Sequence, residues 1–278
     1  MTTVCLTFDF DALSIWLSTF KQTSPTPFSR GEFAANVGLP RVLEVLQRCE
    51  VVATFFVPAH TARSFPDLTR LIVEQGHEVA CHGLVHESPV GLALEEERQS
   101  LAASIEVLTE ITGIRPVGYR SPAWDLSQDT IKVLEEHGLI YDSSLMGYDY
   151  KTYYARVGDV VTEERFTPGD ESTILEFPVA WELDDYPYFQ FTPRPLYQGL
   201  RLPEDVYKAW SAEFDCAHLE SGVFTLTCHP EIIGRGPRIK MLEQLIKYMQ
   251  THQNVVFSTM GHVATALRAN PKSKGASL

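Results

Sequence analysis

The sequence is short of positive charge and of long apolar runs. Lys and Arg number 23 against 36 Asp and Glu, which gives a formal net charge of −13. Because phosphate groups are bound by clustered cations, this balance argues against nucleic acid or an anionic membrane as a partner. No stretch approaches the roughly 18 consecutive apolar residues of a membrane span, and the opening MTTVCLTFDFD lacks the basic start and long apolar run of a signal peptide. We therefore expect a cytoplasmic protein.

Cysteine and glycine motifs are also missing. No C-x-x-C occurs, and the five cysteines are irregularly spaced, so we expect them to be reduced thiols. No G-x-G-x-x-G follows the first apolar run, which argues against a dinucleotide-binding fold, and GRG at 234–236 lacks the required spacing. The sequence contains no low-complexity segment or interdomain linker. Residues 1–278 are therefore expected to form one domain.

What the sequence does contain is an alternation of short apolar, β-branched runs with amphipathic stretches of helical length. VCLTF (4–8), VVATFFV (51–57) and HEVAC (77–81) are typical of strands, and the intervening 39–50 and 66–76 are typical of helices. The pattern continues to the end of the chain as seven or eight β-α repeats. It predicts an α/β fold in which a parallel sheet, covered by helices, closes or nearly closes as a barrel. An open doubly wound sheet is the alternative.

Polar side chains follow the predicted strands at their carboxyl ends. In parallel α/β folds these ends share one face, where ligands bind. The residues brought to that face are Asp9, Asp11, His82, His86, Arg120, Trp124, Asp142 and His229. Taken singly, each has an ordinary explanation as a helix cap, a turn residue, a solvated charge or a packing residue. Their convergence on one predicted face favours a functional site.

The residue types suit metal-assisted hydrolysis. Two imidazoles (His82 and His86) and one carboxylate leave coordination positions open for water, as in hydrolytic Zn²⁺ sites. Asp9 and Asp11 lie on one face of an extended chain, so one could bind the metal while the other accepts a proton from water. His229, from across the barrel, is placed to donate a proton to a leaving nitrogen.

Two further charged residues complete this chemistry. Arg120 could hold the basic carboxylate ionised and oriented, and Asp142 could keep His229 protonated.

With these residues assembled, the chain resembles the polysaccharide deacetylase (NodB homology, carbohydrate esterase 4) family. LTFDFD, HGLVH, RSPAW, DSS and LTCH are similar to its five motifs, over about residues 4 to 265. The resemblance implies a distorted (β/α)7 barrel with one divalent metal, usually zinc. It also implies a role for each matching residue: Asp9 as general base, Asp11, His82 and His86 as metal ligands, Arg120 orienting Asp9, Asp142 supporting His229 as catalytic acid, and Trp124 lining the site.

Two departures from the family pattern point to one branch of it. Phe10 separates two aspartates that are usually adjacent, and Gly83 replaces the usual Ser or Thr. These features resemble the intracellular branch, which includes a peptidoglycan deacetylase-like enzyme, cyclic imide hydrolases and allantoinases. Allantoinase relatives lack the metal histidines that this chain keeps. Members of the branch are often compact tetramers whose active sites are shielded by loops from neighbouring subunits, so a homo-oligomer is expected, with 145–172 and 183–200 as candidate lids.

The function expected from this resemblance is metal-dependent hydrolysis of a C–N bond that is not a peptide bond. The leading candidate is N-deacetylation of an acetylated amino sugar or a related small amide. A cyclic imide or ureide amidohydrolase would use the same residues. A non-catalytic carbohydrate- or metal-binding barrel is the alternative of another class, although a binding module has no need for both Asp9 and His229 beside a metal triad.

Overall fold

The structure of the protein is a computed structural model that describes residues 1–192 and 199–269. Its strands are β1 (Thr2–Asp9), β2 (Thr54–Val57), β3 (Glu78–Cys81), β4 (Gly118–Tyr119), β5 (Tyr141–Asp142), β6 (Tyr153–Val157), β7 (Val160–Val161), β8 (Phe166–Thr167), β9 (Asp170–Glu176), β10 (Val223–Cys228) and β11 (Val255–Phe257).

The α-helices are α1 (Ser14–Ser18), α2 (Pro25–Phe33), α3 (Leu39–Arg48), α4 (Ala59–Ser64), α5 (Pro66–Glu74), α6 (Leu94–Thr112), α7 (Thr130–Glu136), α8 (Tyr186–Phe189), α9 (Pro203–Leu219), α10 (Pro230–Ile233), α11 (Gly236–Gln250) and α12 (Met260–Ala269). A π-helical turn, Ala34–Gly38, joins α2 to α3, and 3-10 turns cover Pro122–Trp124 and Trp181–Leu183. Within the described ranges, no helix is both long and apolar enough to cross a bilayer.

The strands form a mostly parallel sheet that curls into a barrel. The order is β10-β1-β2-β3-β4-β5-β9-β6, with β11 beside the start of β1. Only β6 runs antiparallel in this described sheet, against β9. A bridge between Asp184 and Thr227, and a 2.7 Å hydrogen bond from Val223 N to Tyr150 O, bring the two edges together. The predicted (β/α)7-type barrel is confirmed.

Side chains alternate between the barrel interior and the helical layer, as the period of a strand requires. On β1, Leu6 and Phe8 join the core under the helices, whereas Cys5 belongs to a second cluster inside the barrel. That inner cluster is completed by α12, whose Met260 N donates to Thr54 Oγ1 at the amino end of β2. Because α12 fills the amino end, the inward-facing residues at the carboxyl ends are free to form a site.

The two segments predicted as lids behave differently. Residues 145–172 form β6 and the β7–β8 hairpin and are not part of the described lining of this chain's own cavity, so their role as a lid over a neighbouring subunit stays a prediction. Within this segment, Tyr150 contacts β10, and β6 pairs with β9 and so extends the sheet. The second segment, 183–200, does line the cavity, although its residues 193–198 lie outside the described part of the chain.

Candidate active site and metal centre

A buried cluster of acidic and imidazole side chains occupies the carboxyl ends of the strands. Asp9 ends β1, and Asp11 follows it by two residues. His82 follows β3 directly, and His229 follows β10 directly. Arg120 comes directly after β4 and is fully buried. The structure therefore brings together residues that the sequence separates by more than two hundred positions.

Asp11, His82 and His86 form a group that could hold a metal ion. One oxygen of Asp11 lies 3.4 Å from His82 Nε2 and the other lies 3.4 Å from His86 Nε2. Two ligand atoms that are each ~2.1 Å from a tetrahedral ion are separated by roughly 3.4 Å, so the spacing fits a metal. Both Asp11 oxygens are buried and have no hydrogen-bond donor among the described residues.

The second ring nitrogen of each histidine is engaged, which supports the same assignment. His82 Nδ1 donates to the Arg120 carbonyl at 2.7 Å, so in the neutral ring the lone pair is on Nε2, which faces Asp11. His86 Nδ1 lies 2.7 Å from Thr19 Oγ1, a contact in which either atom can donate. Burial lowers the pKa of His82, which keeps it neutral. Neutral imidazoles held by their other nitrogen are typical of metal ligands.

The turn after β3 is shaped by Gly83 and His86, which both have positive φ angles. Gly83 has φ +74°, a left-handed conformation that favours glycine, and His86 has φ +63°. The Glu87 carboxylate accepts the backbone N–H groups of Leu84 and Val85 at 2.9 and 2.6 Å. This tight turn carries His86 back over the end of the strand to face Asp11.

Asp9 is held by Arg120, whereas Asp11 faces the two histidines. Arg120 Nη1 donates to Asp9 Oδ1 at 2.8 Å and to Thr7 Oγ1 at 2.9 Å. The guanidinium also donates from Nε and Nη2 to the carbonyl and hydroxyl of Ser143, and it lies over the Phe56 ring at 4.1 Å. The second oxygen of Asp9 points towards the metal group, 3.7 Å from His82 Nε2. One oxygen of Asp9 is thus tethered and the other faces the site.

His229 is paired with Asp185, which the sequence analysis did not assign to the site. His229 Nδ1 donates to Asp185 Oδ1 at 2.7 Å, and its backbone N donates to Oδ2 at 3.0 Å. Asp184 lies 3.6 Å from the same ring nitrogen. Burial lowers the pKa of His229, but Asp184 and Asp185 together outweigh burial and raise that pKa well above its usual range. The other ring nitrogen, Nε2, faces Asp9 and Asp11 at 4.0 and 3.9 Å.

The predicted pairing of Asp142 with His229 is therefore wrong. On β5, Tyr141 points into the barrel, so Asp142 must point outward into the helical layer. There it contacts Glu176 and accepts a hydrogen bond from Ser144 Oγ at 2.9 Å. The signal that could have found the true partner is the adjacent acidic pair in ELDDYPYF, directly before the short helix α8.

Glu231 is a second residue that sequence reasoning missed. It lies two residues after His229, is buried, and has no hydrogen-bond donor for either oxygen among the described residues. Burial and the nearby Asp11 raise the pKa of Glu231 to about 8. The cluster thus contains one carboxyl group that the sequence-based assignment leaves out.

A cavity of about 430 Å³ opens over the cluster. Its polar lining comes mainly from the cluster itself, and much of the remainder is apolar or aromatic. Trp124, predicted to line the site, does so and stacks on Trp181 with ring centroids 4.4 Å apart. The described lining residues beyond these two rings and the cluster are Ile15, Thr19, Phe20, Ala123, Tyr186, Pro187, Gln190 and Gly199.

Comparison with known proteins agrees with this fold. Residues 2–141 match the profile of the polysaccharide deacetylase family. The chain is 35% identical to a peptidoglycan deacetylase of Helicobacter pylori, over 96% of both chains. It superposes with a TM-score of 0.86, at 35% identity, on the crystal structure of a protein assigned as a polysaccharide deacetylase from Mycobacterium smegmatis, covering 100% of this chain and 93% of that one.

Puue allantoinase has the same fold. Its TM-score is 0.79 at 22% identity, with 97% of this chain and 91% of that chain covered. An identity this low establishes the fold alone. The chain belongs to the polysaccharide deacetylase family, because both the family profile and a relative similar over nearly its whole length support the assignment.

Proposed function

We propose that the protein is a metal-dependent deacetylase of a small N-acetylated compound, with the metal held by Asp11, His82 and His86. The observation that carries this proposal is the buried Asp11 carboxylate, whose two oxygens each face an imidazole nitrogen at 3.4 Å and have no hydrogen-bond partner among the described residues. A divalent cation satisfies such a group, and two imidazoles with one carboxylate suit Zn²⁺.

The residues of the chain divide the reaction between them. When bound, the metal polarises the substrate carbonyl and lowers the pKa of water. Asp9, held by Arg120 through one oxygen, accepts the proton of the attacking water through its free oxygen. His229, kept protonated by Asp185, donates a proton to the nitrogen as the C–N bond breaks. One water is consumed, and the products are a carboxylic acid and an amine.

The cavity supports a small substrate. At about 430 Å³ it suits a single sugar unit or a compound of that size, and its stacked tryptophans offer an aromatic wall on which such a compound could pack. An N-acetylated amino sugar is the first candidate. A small cyclic imide is the second, because much of the lining outside the cluster is apolar.

Metal analysis and a substrate panel test this proposal. The purified protein should carry about one divalent metal per chain. The His82→Ala/His86→Ala double variant should carry almost none, and His262→Ala, which removes an exposed histidine on α12, should bind metal like the wild type. Full occupancy in the folded double variant would refute the site. Acetate release should be measured with N-acetylglucosamine, short acetylated oligosaccharides and insoluble peptidoglycan, and ring opening with succinimide.

The substrate panel also separates the candidate functions. Turnover of the small compounds, abolished by Asp9→Asn, supports an enzyme with a small substrate. Rapid deacetylation of the polymer without turnover of small compounds would contradict the small-substrate proposal. Metal binding without hydrolysis of any compound would favour the non-catalytic barrel. The cytoplasmic location and the homotetramer stay predictions.

A further inference from the structure

Asp142 and Glu176 form a buried carboxyl pair outside the cavity. They are register partners on the neighbouring strands β5 and β9, so both side chains leave the sheet on its helical face. Both are fully buried, and their carboxyl groups contact each other. The reaction described above makes no use of either group.

The hydrogen bonds of the pair leave one oxygen of each residue unused. Ser144 Oγ donates to Asp142 Oδ1 at 2.9 Å. The backbone N–H groups of Ser144 and Leu145 both donate to Glu176 Oε1 at 2.9 Å. Asp142 Oδ2 and Glu176 Oε2 remain buried without a donor among the described residues. Two carboxylates in contact away from water cannot both ionise, and one proton between these two oxygens satisfies both.

The loop that the pair anchors is the one that holds Arg120. Ser143 stands between Asp142 and Ser144, and both its carbonyl and its hydroxyl accept hydrogen bonds from the guanidinium, at 2.9 and 2.8 Å. The same guanidinium binds Asp9 at 2.8 Å. A continuous series of short contacts therefore runs from the carboxyl pair to the base.

We propose that Asp142 and Glu176 share one proton and, as a pair, position Arg120 and through it Asp9. Both are positioning residues, since neither reaches the cavity lining. The catalytic consequence rests on the proposed function, whereas the shared proton does not. Burial raises the pKa of Asp142 to about 6, and burial together with the charge of Asp142 raises the pKa of Glu176, which agrees with one retained proton.

A double-mutant cycle tests the shared proton without any substrate. In Glu176→Gln, or in Asp142→Asn, the new amide N–H takes the place of the proton, so each single variant should melt within ~2 °C of the wild type. In the Asp142→Asn/Glu176→Gln double variant, either two NH₂ groups face each other, or the new amide at position 142 turns over and the Ser144 hydroxyl loses its acceptor. Its melting temperature should fall by ~5 °C or more below the sum of the single effects. If the changes in melting temperature of the two single variants simply add in the double variant, the shared proton is refuted. A double variant that fails to fold, while both single variants fold, supports it.

Steady-state kinetics test the positioning. Both single variants should keep kcat within about threefold of the wild type. The double variant should lose kcat by ~10- to 100-fold, with KM and metal content little changed, because the base is misplaced but the metal ligands are not. If the double variant does not fold, Glu176→Ala takes its place in this comparison, since it removes the acceptor of the Ser144 and Leu145 N–H groups.

Glu97→Ala provides the matched control. Glu97 is another buried carboxylate, held by Ser127 and Thr130 far from the guanidinium, so its loss should lower the melting temperature and leave kcat unchanged. An equal fall of kcat in Glu97→Ala, or an unchanged kcat in the destabilised Asp142/Glu176 variants, would overturn the positioning role. If the wild type hydrolyses nothing, the proposed function fails, and the melting cycle still decides the shared proton.

Discussion

Replacing Asp185 by Asn should move the alkaline limb of the pH–rate profile to lower pH. His229 donates its proton to the leaving nitrogen, so activity falls as the pH rises through the pKa of its imidazole. Asp185 raises that pKa from a contact of 2.7 Å. Two unit charges about 4 Å apart at an effective dielectric constant near 20 attract each other by about 4 kcal/mol, so removing the Asp185 charge should lower the pKa of His229. Asp184 remains 3.6 Å from the ring and still opposes the lowering of that pKa by burial.

The experiment is a pH–kcat profile of the metal-loaded variant, with an NMR titration of the His229 ring as a readout that needs no substrate. Asp142→Asn is the matched control, because Asp142 contacts Glu176 rather than His229 and its variant should leave the limb in place. Asn offers one acceptor oxygen for two His229 donors, so a stability loss of about 1–3 kcal/mol is also expected, and thermal denaturation must show a folded protein. An unmoved limb in Asp185→Asn would refute the pairing.

The other predictions concern the two aspartates, one close glycine contact and the exposed tryptophan. Asp9→Asn should keep the metal and lose ~10²-fold in turnover, because it removes the base. Asp11→Asn should lose metal first and recover part of its activity with excess metal. The opposite pattern in metal analysis and kinetics would show that the two roles are reversed. Gly38→Ala places a Cβ 2.1 Å from a carbonyl oxygen of α10 and should cost about 1–3 kcal/mol of stability, with the unhindered Gly236→Ala as control. Trp181→Ala should raise KM for a small substrate ~10-fold by removing one wall of the cavity, and an unchanged KM would argue against that wall binding substrate.

Much of the site could be predicted from the sequence because its residues stand at local landmarks. Asp9, Asp11, His82 and His229 directly follow apolar runs that form strands, and parallel strands bring their carboxyl ends to one face whatever the details of packing. The β-α alternation that predicts the barrel is likewise local, since it depends on the period of apolar residues and on helix-ending glycines. These features needed no knowledge of distant contacts.

Which acid pairs with His229 is determined by the tertiary structure alone. Asp142 also follows a predicted strand, but the two-residue strand β5 is too short for its sequence to show which face each side chain takes. The packing of Tyr141 inside the barrel turns Asp142 outward. Asp185 comes from an irregular loop with no strand period, and it reaches His229 only because the bridge between Asp184 and Thr227 closes the sheet there. The direction of a side chain on a short strand depends on how the barrel packs, and so does the approach of a distant loop. No local sequence pattern therefore predicts either.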